Sequence, residues 1–280
     1  MADILQEIVA RKRLEVAAAK ERVPAAALHR RVEAMMANED AGASFGDPAR
    51  GRRRSMRAAL RQACDRLGAG IIAEFKRKSP SRGWIHPDVE PEQVVPGYAE
   101  AGAAALSVLT DEPYFGGRQE FIERVRPLVP ATPILRKDFI VDEYQLFEAR
   151  AIGADAVLLI AADLTPAEFR ALLATAHQLR LEVLLEVHDP RELDYVQPEV
   201  DMIGVNNRHL GTFHTDVRQS FSIAGLLPPD FVLVSESGIS DPATVRSLRQ
   251  AGFSGFLIGE TFMREADPAA ALRDFIRQCQ

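Results

Sequence analysis

Eight short apolar segments recur between about residue 70 and the C-terminus, and a longer stretch with helical periodicity follows each of them. They are GIIAEF, ALSVLT, TPILRKDF, DAVLLIA, EVLLEV, DMIGVN, FVLVSES and GFLIGE. Parallel strands read as near-continuous apolar runs because both faces of their sheet are covered. Eight strand–helix units within about 210 residues favour an α/β fold of the (β/α)8 TIM-barrel type over a doubly wound open sheet.

The first 68 residues have helical rather than strand–helix patterning. Two helical stretches flank a polar segment at 38–54 that contains glycine and the basic run RGRRRS, and this segment predicts a solvated linker. We expect residues 1–68 to form an N-terminal helical extension packed on a barrel of residues 69–280. Both parts would belong to one structural domain.

Local signals predict where several helices begin. Thr165, Pro166 and Glu168 have the spacing of a capping box with proline at the first helical position. Pro96 and Gly97 interrupt the segment expected to form the first outer helix of the barrel. Because proline cannot donate a helical hydrogen bond, we expect that helix to begin late or to kink there.

The composition argues against several classes of protein. The net charge is −6, without a basic stripe that would indicate a nucleic-acid partner. No apolar run approaches the roughly 20 residues that cross a bilayer, and the N-terminus lacks the pattern of a signal peptide. Cys64 and Cys279 match no metal-site spacing and suggest free thiols in a reducing compartment. We expect a cytoplasmic protein without a membrane partner, as a monomer or weak homo-oligomer.

Charged or amide side chains stand at the ends of five of the apolar segments. In a barrel the catalytic groups project from the C-terminal ends of the strands, and residues i and i+2 share a face. Isolated buried charges would be costly, so three cations and three carboxylates placed in this way predict a polar pocket that accepts anions. The candidates are Glu74, Lys76, Lys137, Glu186, Asn206, Arg208 and Glu236.

Two glycine-containing segments, SESGISDP and LIGETF, follow the seventh and eighth strands. Loops at these positions commonly bind phosphate in such barrels. Gly238 and Gly259 would allow close backbone approach, and Ser237 could donate a hydrogen bond. The chain has no dinucleotide or Walker motif and no histidine pair with metal-ligand spacing. We interpret His188 as a loop residue, and we expect neither a cofactor nor a metal.

Seven successive motifs resemble those of the indole-3-glycerol-phosphate synthases: AEFKRKSPSRG, SVLTDEPYFGG, PILRKDFIVDEYQL, LLEVHD, IGVNNRHL, VSESGI and LIGETFM. The resemblance implies a barrel with a helical extension over its active site and no cofactor. It also implies the family's substrate, the small phosphorylated molecule 1-(2-carboxyphenylamino)-1-deoxyribulose 5-phosphate. The family closes the pyrrole ring of this substrate with loss of CO₂ and water, in tryptophan biosynthesis.

The same resemblance implies roles for individual residues. Lys137 matches the family's general acid and Glu186 its acid/base glutamate. Other matching positions are Glu74, Lys76 and Asn206 for catalysis, and Ser79, Arg208, Glu236, Ser237, Gly238 and Gly259 for binding substrate or phosphate. Ring closure requires a proton for the ketone oxygen. We therefore expect burial or a neighbouring cation, Lys76, to lower the pKa of Lys137.

Three other functions remain open at this point. Lys137 could form a Schiff base, as in an aldolase. Phosphoribosylanthranilate isomerase is another phosphate-binding barrel, but it needs a Cys/Asp pair, and neither cysteine here ends a strand. A non-catalytic binding protein would tolerate the loss of Lys137 or Glu186. In an enzyme, we expect the loop of residues 79–89 to close over the substrate.

Overall fold

The computed structural model describes residues 4–44, 54–209 and 214–280. Within them, eight parallel strands pair in chain order, and the first pairs with the last, so the sheet closes into a barrel. The strands are β1 Gly70–Phe75, β2 Ala105–Leu109, β3 Ile134–Lys137, β4 Ala156–Ile160, β5 Glu182–Val187, β6 Met202–Asn206, β7 Val232–Glu236 and β8 Phe253–Ile258. The predicted (β/α)8 fold is confirmed.

Helices cover the outside of the barrel, and three further helices precede β1. In chain order they are α1 Ile4–Arg22, α2 Ala25–Ser44, α3 Met56–Leu67, α4 Pro91–Glu100, α5 Glu112–Phe115, α6 Gln119–Val125, α7 Glu143–Ile152, α8 Pro166–Gln178, α9 Arg218–Ala224, α10 Pro242–Gln250, α11 Glu260–Met263 and α12 Pro268–Cys279. Short 3-10 helices span Ala161–Asp163 and Pro190–Tyr195. One apolar cluster lies between strands and outer helices, and a second fills the barrel interior.

Capping explains where the outer helices begin. The predicted capping box of α8 is present, with the Thr165 side chain accepting from the Glu168 backbone N–H. For α4, the expectation of a late start is wrong. Glu90 and Gln93 form a capping box around Pro91 at the first helical position, and this box fixes the start of the helix. The helix then continues through Pro96 to Glu100.

The extension covers both ends of the barrel. Met56 and Leu60 of α3 are fully buried in the interior cluster, while α1 lies over the opposite end. The linker predicted at 38–54 is wrong in its first part, because α2 continues to Ser44. Ion pairs from the barrel to α2, such as Arg180–Asp40 at 2.7 Å, hold this part of the helix. The remainder of the predicted linker, at 45–53, lies outside the described residues.

Two further sequence-based expectations concern the cysteines and the possibility of a membrane-spanning helix. Cys64 and Cys279 are both buried free thiols. Among the helices in the described ranges, none combines the length and apolar character needed to span a bilayer.

Candidate active site

A cavity of about 700 Å³ opens at the C-terminal ends of the strands, within the usual size range of small-molecule sites. Every site residue predicted from the sequence except Ser79 lines it. These residues come from β1, β3, β5, β6 and β7 and from the loops that follow β1, β6, β7 and β8. The strand ends therefore bring distant parts of the chain to one place.

Lys137 lies at the centre of the charged groups. Its Nζ donates to Oε2 of Glu186 at 2.8 Å and lies 3.2 Å from Oε2 of Glu236. The three residues lie at the C-terminal ends of β3, β5 and β7, where both glutamates are buried and the Lys137 side chain is 14% exposed. One ammonium is thus shared between two carboxylates.

Burial and the nearby Lys137 ammonium shift the pKa values of the two glutamates in opposite directions. Burial alone would raise the pKa of Glu186, but Lys137 and the neighbouring His188 hold that pKa well below its usual range. Burial raises the pKa of Glu236 to about 8, and the charge on Glu186 adds to the effect although Lys137 opposes it. The proton of this coupled pair is therefore held more strongly by Glu236 than by Glu186.

The expectation of a lowered pKa for Lys137 is wrong. Burial does act to lower it, but the carboxylates of Glu186, Glu236 and Glu74 outweigh burial and raise the pKa. The cation expected to lower it, Lys76, instead donates to Glu74 Oε1 at 2.6 Å. The surrounding carboxylates therefore favour the ammonium form of Lys137.

Glu186 has contacts on both of its oxygens. Lys137 binds Oε2, and the Nδ2 of Asn206 donates to Oε1 at 3.1 Å. The Nε2 of His188 lies 3.2 Å from the same Oε1. The carboxylate is therefore fixed by groups from β3, β6 and the end of its own strand.

Two glycines make room for the buried carboxylates. A Cβ at Gly204 would lie 2.1 Å from Oε1 of Glu236, and one at Gly259 would lie 2.6 Å from Oε1 of Glu74. Contacts this short do not occur between real atoms, so neither position accepts a side chain without displacing a carboxylate. Gly259, predicted from the sequence as a phosphate-site residue, also provides the space for Glu74.

The loops after β7 and β8 form one side of the cavity. Ser237 and Gly238 both adopt positive φ, at 67° and 74°, so consecutive residues are left-handed. The Thr261 hydroxyl donates to the Ile239 carbonyl at 2.9 Å and joins the two loops. Backbone N–H groups in such a concave turn can bind an anion.

The structure does not bring Ser79 to the cavity wall. Ser79 is buried in a two-stranded hairpin, Lys78–Ser79 with Gly83–Trp84, that follows β1. Ser81, at the turn of this hairpin, lines the cavity instead and accepts from Nη1 of Arg208 at 3.1 Å. The adjacent Arg82 forms an ion pair with Glu260 across the mouth at 3.3 Å.

Part of the cavity wall is apolar, and α1 provides some of it. Ile4, Leu5 and Ile8 line the cavity from the extension. Aromatic and aliphatic side chains of the barrel complete this wall: Leu109, Phe115, Phe139, Leu158 and Ile160. A planar aromatic group could be buried here while its charged substituents face the ammonium and guanidinium groups.

A buried ionic cluster attaches α1 to the barrel beside Lys137. Lys12 is 5% exposed, and its Nζ lies 3.0 Å from both Asp111 and Asp138. Asp138 follows Lys137 directly and also accepts from Arg136 at 2.9 Å. The position of the extension is therefore coupled to the strand end that carries Lys137.

The donor set does not resemble a metal centre. No group of three or more His, Cys, Asp or Glu side chains in residues 4–44, 54–209 and 214–280 is arranged to hold a metal ion.

Sequence reasoning missed Ser81, Lys12 and His188. His188 had a usable signal, because it lies two residues after Glu186 on the same strand face. Ser81 and Lys12 gave no such signal in the sequence. Ser81 reaches Arg208 because of the turn of the hairpin, and Lys12 reaches Asp111 and Asp138 because α1 packs on the barrel.

A sequence model of the indole-3-glycerol phosphate synthase family matches residues 5–275. A relative of that name from Bacteroides thetaiotaomicron is 52% identical over 280 residues, covering all of both chains. Another, from an Azoarcus species, is 45% identical over 279 residues and covers 98% of each chain. Full-length similarity of this size includes the extension as well as the barrel.

Solved structures support the fold independently. The 3-hexulose-6-phosphate synthase from Salmonella typhimurium aligns with a TM-score of 0.58 at 14% identity, covering 75% of this chain and 98% of that one. At this identity the likeness concerns the barrel alone. The family match and the two full-length relatives show that the chain belongs to the indole-3-glycerol phosphate synthase family.

Proposed function

We propose that this chain closes the pyrrole ring of its substrate by acid–base catalysis, with Lys137 as the proton donor and Glu186 as the base. Membership of the family makes the chain a decarboxylating carbon–carbon lyase of tryptophan biosynthesis. The observation that carries the residue assignment is the ammonium of Lys137, 2.8 Å from Glu186 and 3.2 Å from Glu236 inside one cavity.

The first step forms the carbon–carbon bond. The ring carbon that bears the carboxylate attacks the ketone carbon of the deoxyribulose, and the ketone oxygen takes a proton from Lys137. Because the carboxylate of Glu186 and the other acidic neighbours keep Lys137 charged, the ammonium is present to stabilise the developing alkoxide. Glu236, the more weakly acidic of the two glutamates, is placed to return a proton to the lysine.

Decarboxylation and dehydration complete the ring. The carbon–carboxylate bond breaks, CO₂ leaves, and its electron pair restores the aromatic ring. The new hydroxyl then leaves as water with a proton from Lys137, which Glu236 has reprotonated, while Glu186 removes a proton from the adjacent carbon to form the pyrrole double bond. Asn206 keeps Glu186 oriented for this transfer. Glu74 and Lys76, paired at 2.6 Å, orient the reacting groups from β1.

The two anions of the substrate are assigned to different parts of the cavity. The loops containing Ser237, Gly238 and Gly259 would bind the phosphate, with Arg208 beside them. Lys76 would bind the carboxylate until CO₂ is released. The aromatic ring would contact the apolar wall that α1 and the barrel share.

We further propose that the enzyme works in the cytoplasm on this small phosphorylated substrate, as a monomer or weak homo-oligomer without a nucleic-acid partner. The two buried free thiols are consistent with a reducing compartment.

Glu186→Gln is the sharpest test of the base. We expect turnover to fall by about 10²–10⁴-fold, the usual contribution of a positioned acid or base. Glutamine retains the shape of the side chain, so KM should change little. Turnover is measured from the fluorescence of the indole product formed from the anilino-deoxyribulose phosphate.

Glu182→Gln is the matched control, because Glu182 lies on the same strand at the opposite end of the barrel, where it accepts from Ser55. Its turnover should equal that of the unmodified enzyme. Near-normal turnover in folded Glu186→Gln would reject Glu186 as the base.

A further inference from the structure

His188 lies beside Glu186, directly after the end of β5. Its ring is 10% exposed, and Nε2 is 3.2 Å from Oε1 of Glu186. The described cavity lining includes Glu186 but not His188. The imidazole therefore contacts the proposed base but is not among the residues that line the cavity.

Carboxylates from three elements face this ring. Glu186 lies near the end of β5, and Glu192 of the 3-10 helix places Oε2 3.9 Å from Nδ1. Glu236 of β7 adds a longer-range interaction. Glu192 also accepts from the His188 backbone N–H at 2.6 Å, and Gln219 of α9 donates to the His188 carbonyl. These contacts fix the backbone on which the imidazole is carried.

The contact between His188 and Glu186 is close, with Nε2 3.2 Å from Oε1. Within the described chain, neither ring nitrogen makes an aligned hydrogen bond, although the contact distance is short. Burial acts to lower the pKa of His188, but Glu186, Glu192 and Glu236 outweigh burial and raise it above the ordinary value of 6.5. The ring is therefore a cation over a wider pH range than a free imidazole.

We propose that His188 is a positioning residue whose imidazolium keeps the Glu186 carboxylate ionised and oriented towards Lys137 and the cavity. Lys137 is shared with Glu236, and its charge is reduced while it gives its proton to the substrate. During that interval His188 is the cation that remains 3.2 Å from Glu186. This proposal rests on the role of Glu186 proposed above.

His188→Asn tests the charge, because asparagine is polar but neutral. Removing the cation raises the pKa of Glu186, so the base becomes protonated at a higher pH. We expect the acidic limb of the kcat–pH profile to move up by about one pH unit. On that limb, activity would fall about tenfold, while KM should change little.

Two further variants separate charge from structure. His177→Asn is the matched control, since His177 pairs with Asp201 at the other end of the barrel, and its profile should match the unmodified enzyme. His188→Lys restores a cation and should return the limb towards its original position. The proposal would be overturned if the acidic limb of the kcat–pH profile did not move in His188→Asn. It would also be overturned if activity fell by the same factor at every pH.

Nitrogen-15 NMR of histidine-labelled unmodified enzyme gives a reading that does not depend on activity or on a variant's stability. The chain has six histidines, and His188 is assigned as the signal that responds to Glu186→Gln. We expect both ring nitrogens of His188 to be protonated at pH 7, and a neutral ring would overturn the proposal. Near-normal turnover of Glu186→Gln would instead reject the base assignment, so the two failures are distinguishable.

Discussion

Lys137→Met is expected to lose at least about 10²–10⁴-fold in turnover, because it removes the proposed proton donor while retaining most of the side-chain volume. The loss should appear in kcat and in kcat/KM together, since the ammonium acts on charge that develops only in the transition state. Product fluorescence under saturating and limiting substrate measures both parameters. Far-UV circular dichroism and thermal unfolding establish that the variant is folded.

The same lysine would be essential in an aldolase-type mechanism, so a second measurement is needed. Borohydride treatment of the unmodified enzyme with substrate should give no covalent adduct, because Lys137 is held as an ammonium between Glu186 and Glu236 and lacks a free electron pair. A trapped adduct on Lys137 would favour the Schiff base. Normal turnover of Lys137→Met would reject both mechanisms.

Lys12→Met is expected to destabilise the protein by about 3–5 kcal/mol, the usual cost of removing one partner from a buried ion pair. The substitution leaves Asp111 without its cation and takes one of two cations from Asp138. Chemical denaturation measures the free energy of unfolding. Because α1 lines the cavity and Asp138 adjoins Lys137, KM and kcat should also worsen.

Lys20→Met provides the matched control on the same helix. Lys20 pairs with Asp142 at 2.7 Å, but its side chain is 40% exposed, and such surface pairs are worth only about 0–1 kcal/mol. If Lys12→Met were no more destabilising than Lys20→Met, the buried cluster would not be what attaches the extension to the barrel.

The position of the site followed from local patterning. Glu74 and Glu186 each come two residues after a buried apolar residue of the same strand face, which places them at the mouth of any barrel. The capping box at Thr165 and Glu168 was equally local. Features that depend on periodicity or on a few adjacent residues could therefore be predicted.

Features that depend on distant parts of the chain could not. The predicted direction of the Lys137 pKa shift was wrong, because the shift is set by Glu186 and Glu236, which lie on other strands. Lys12 stands between Arg11 and Arg13 and looks like any surface charge in the sequence. Its burial depends on Asp111 and Asp138, which the fold brings to it.

Ser79 and the end of α2 show two further limits. The motif SPSRG contains two serines, and its sequence does not show which of them faces the cavity. The hairpin buries Ser79, and Ser81 is the serine that contacts Arg208. The polar composition of residues 38–44 resembled a linker. Ion pairs with the barrel, including Arg150–Glu39 and Arg180–Asp40, nevertheless hold this segment as a helix.

A crystal structure of Glu186→Gln with the anilino-deoxyribulose phosphate bound would test the central claim most directly. The account predicts the ketone oxygen within about 3.2 Å of Lys137 Nζ, the phosphate at the Ser237–Gly238 turn, and the aromatic ring against Ile8 and its apolar neighbours. A substrate whose ketone oxygen is out of hydrogen-bond reach of Lys137, or whose phosphate binds away from that turn, would contradict it.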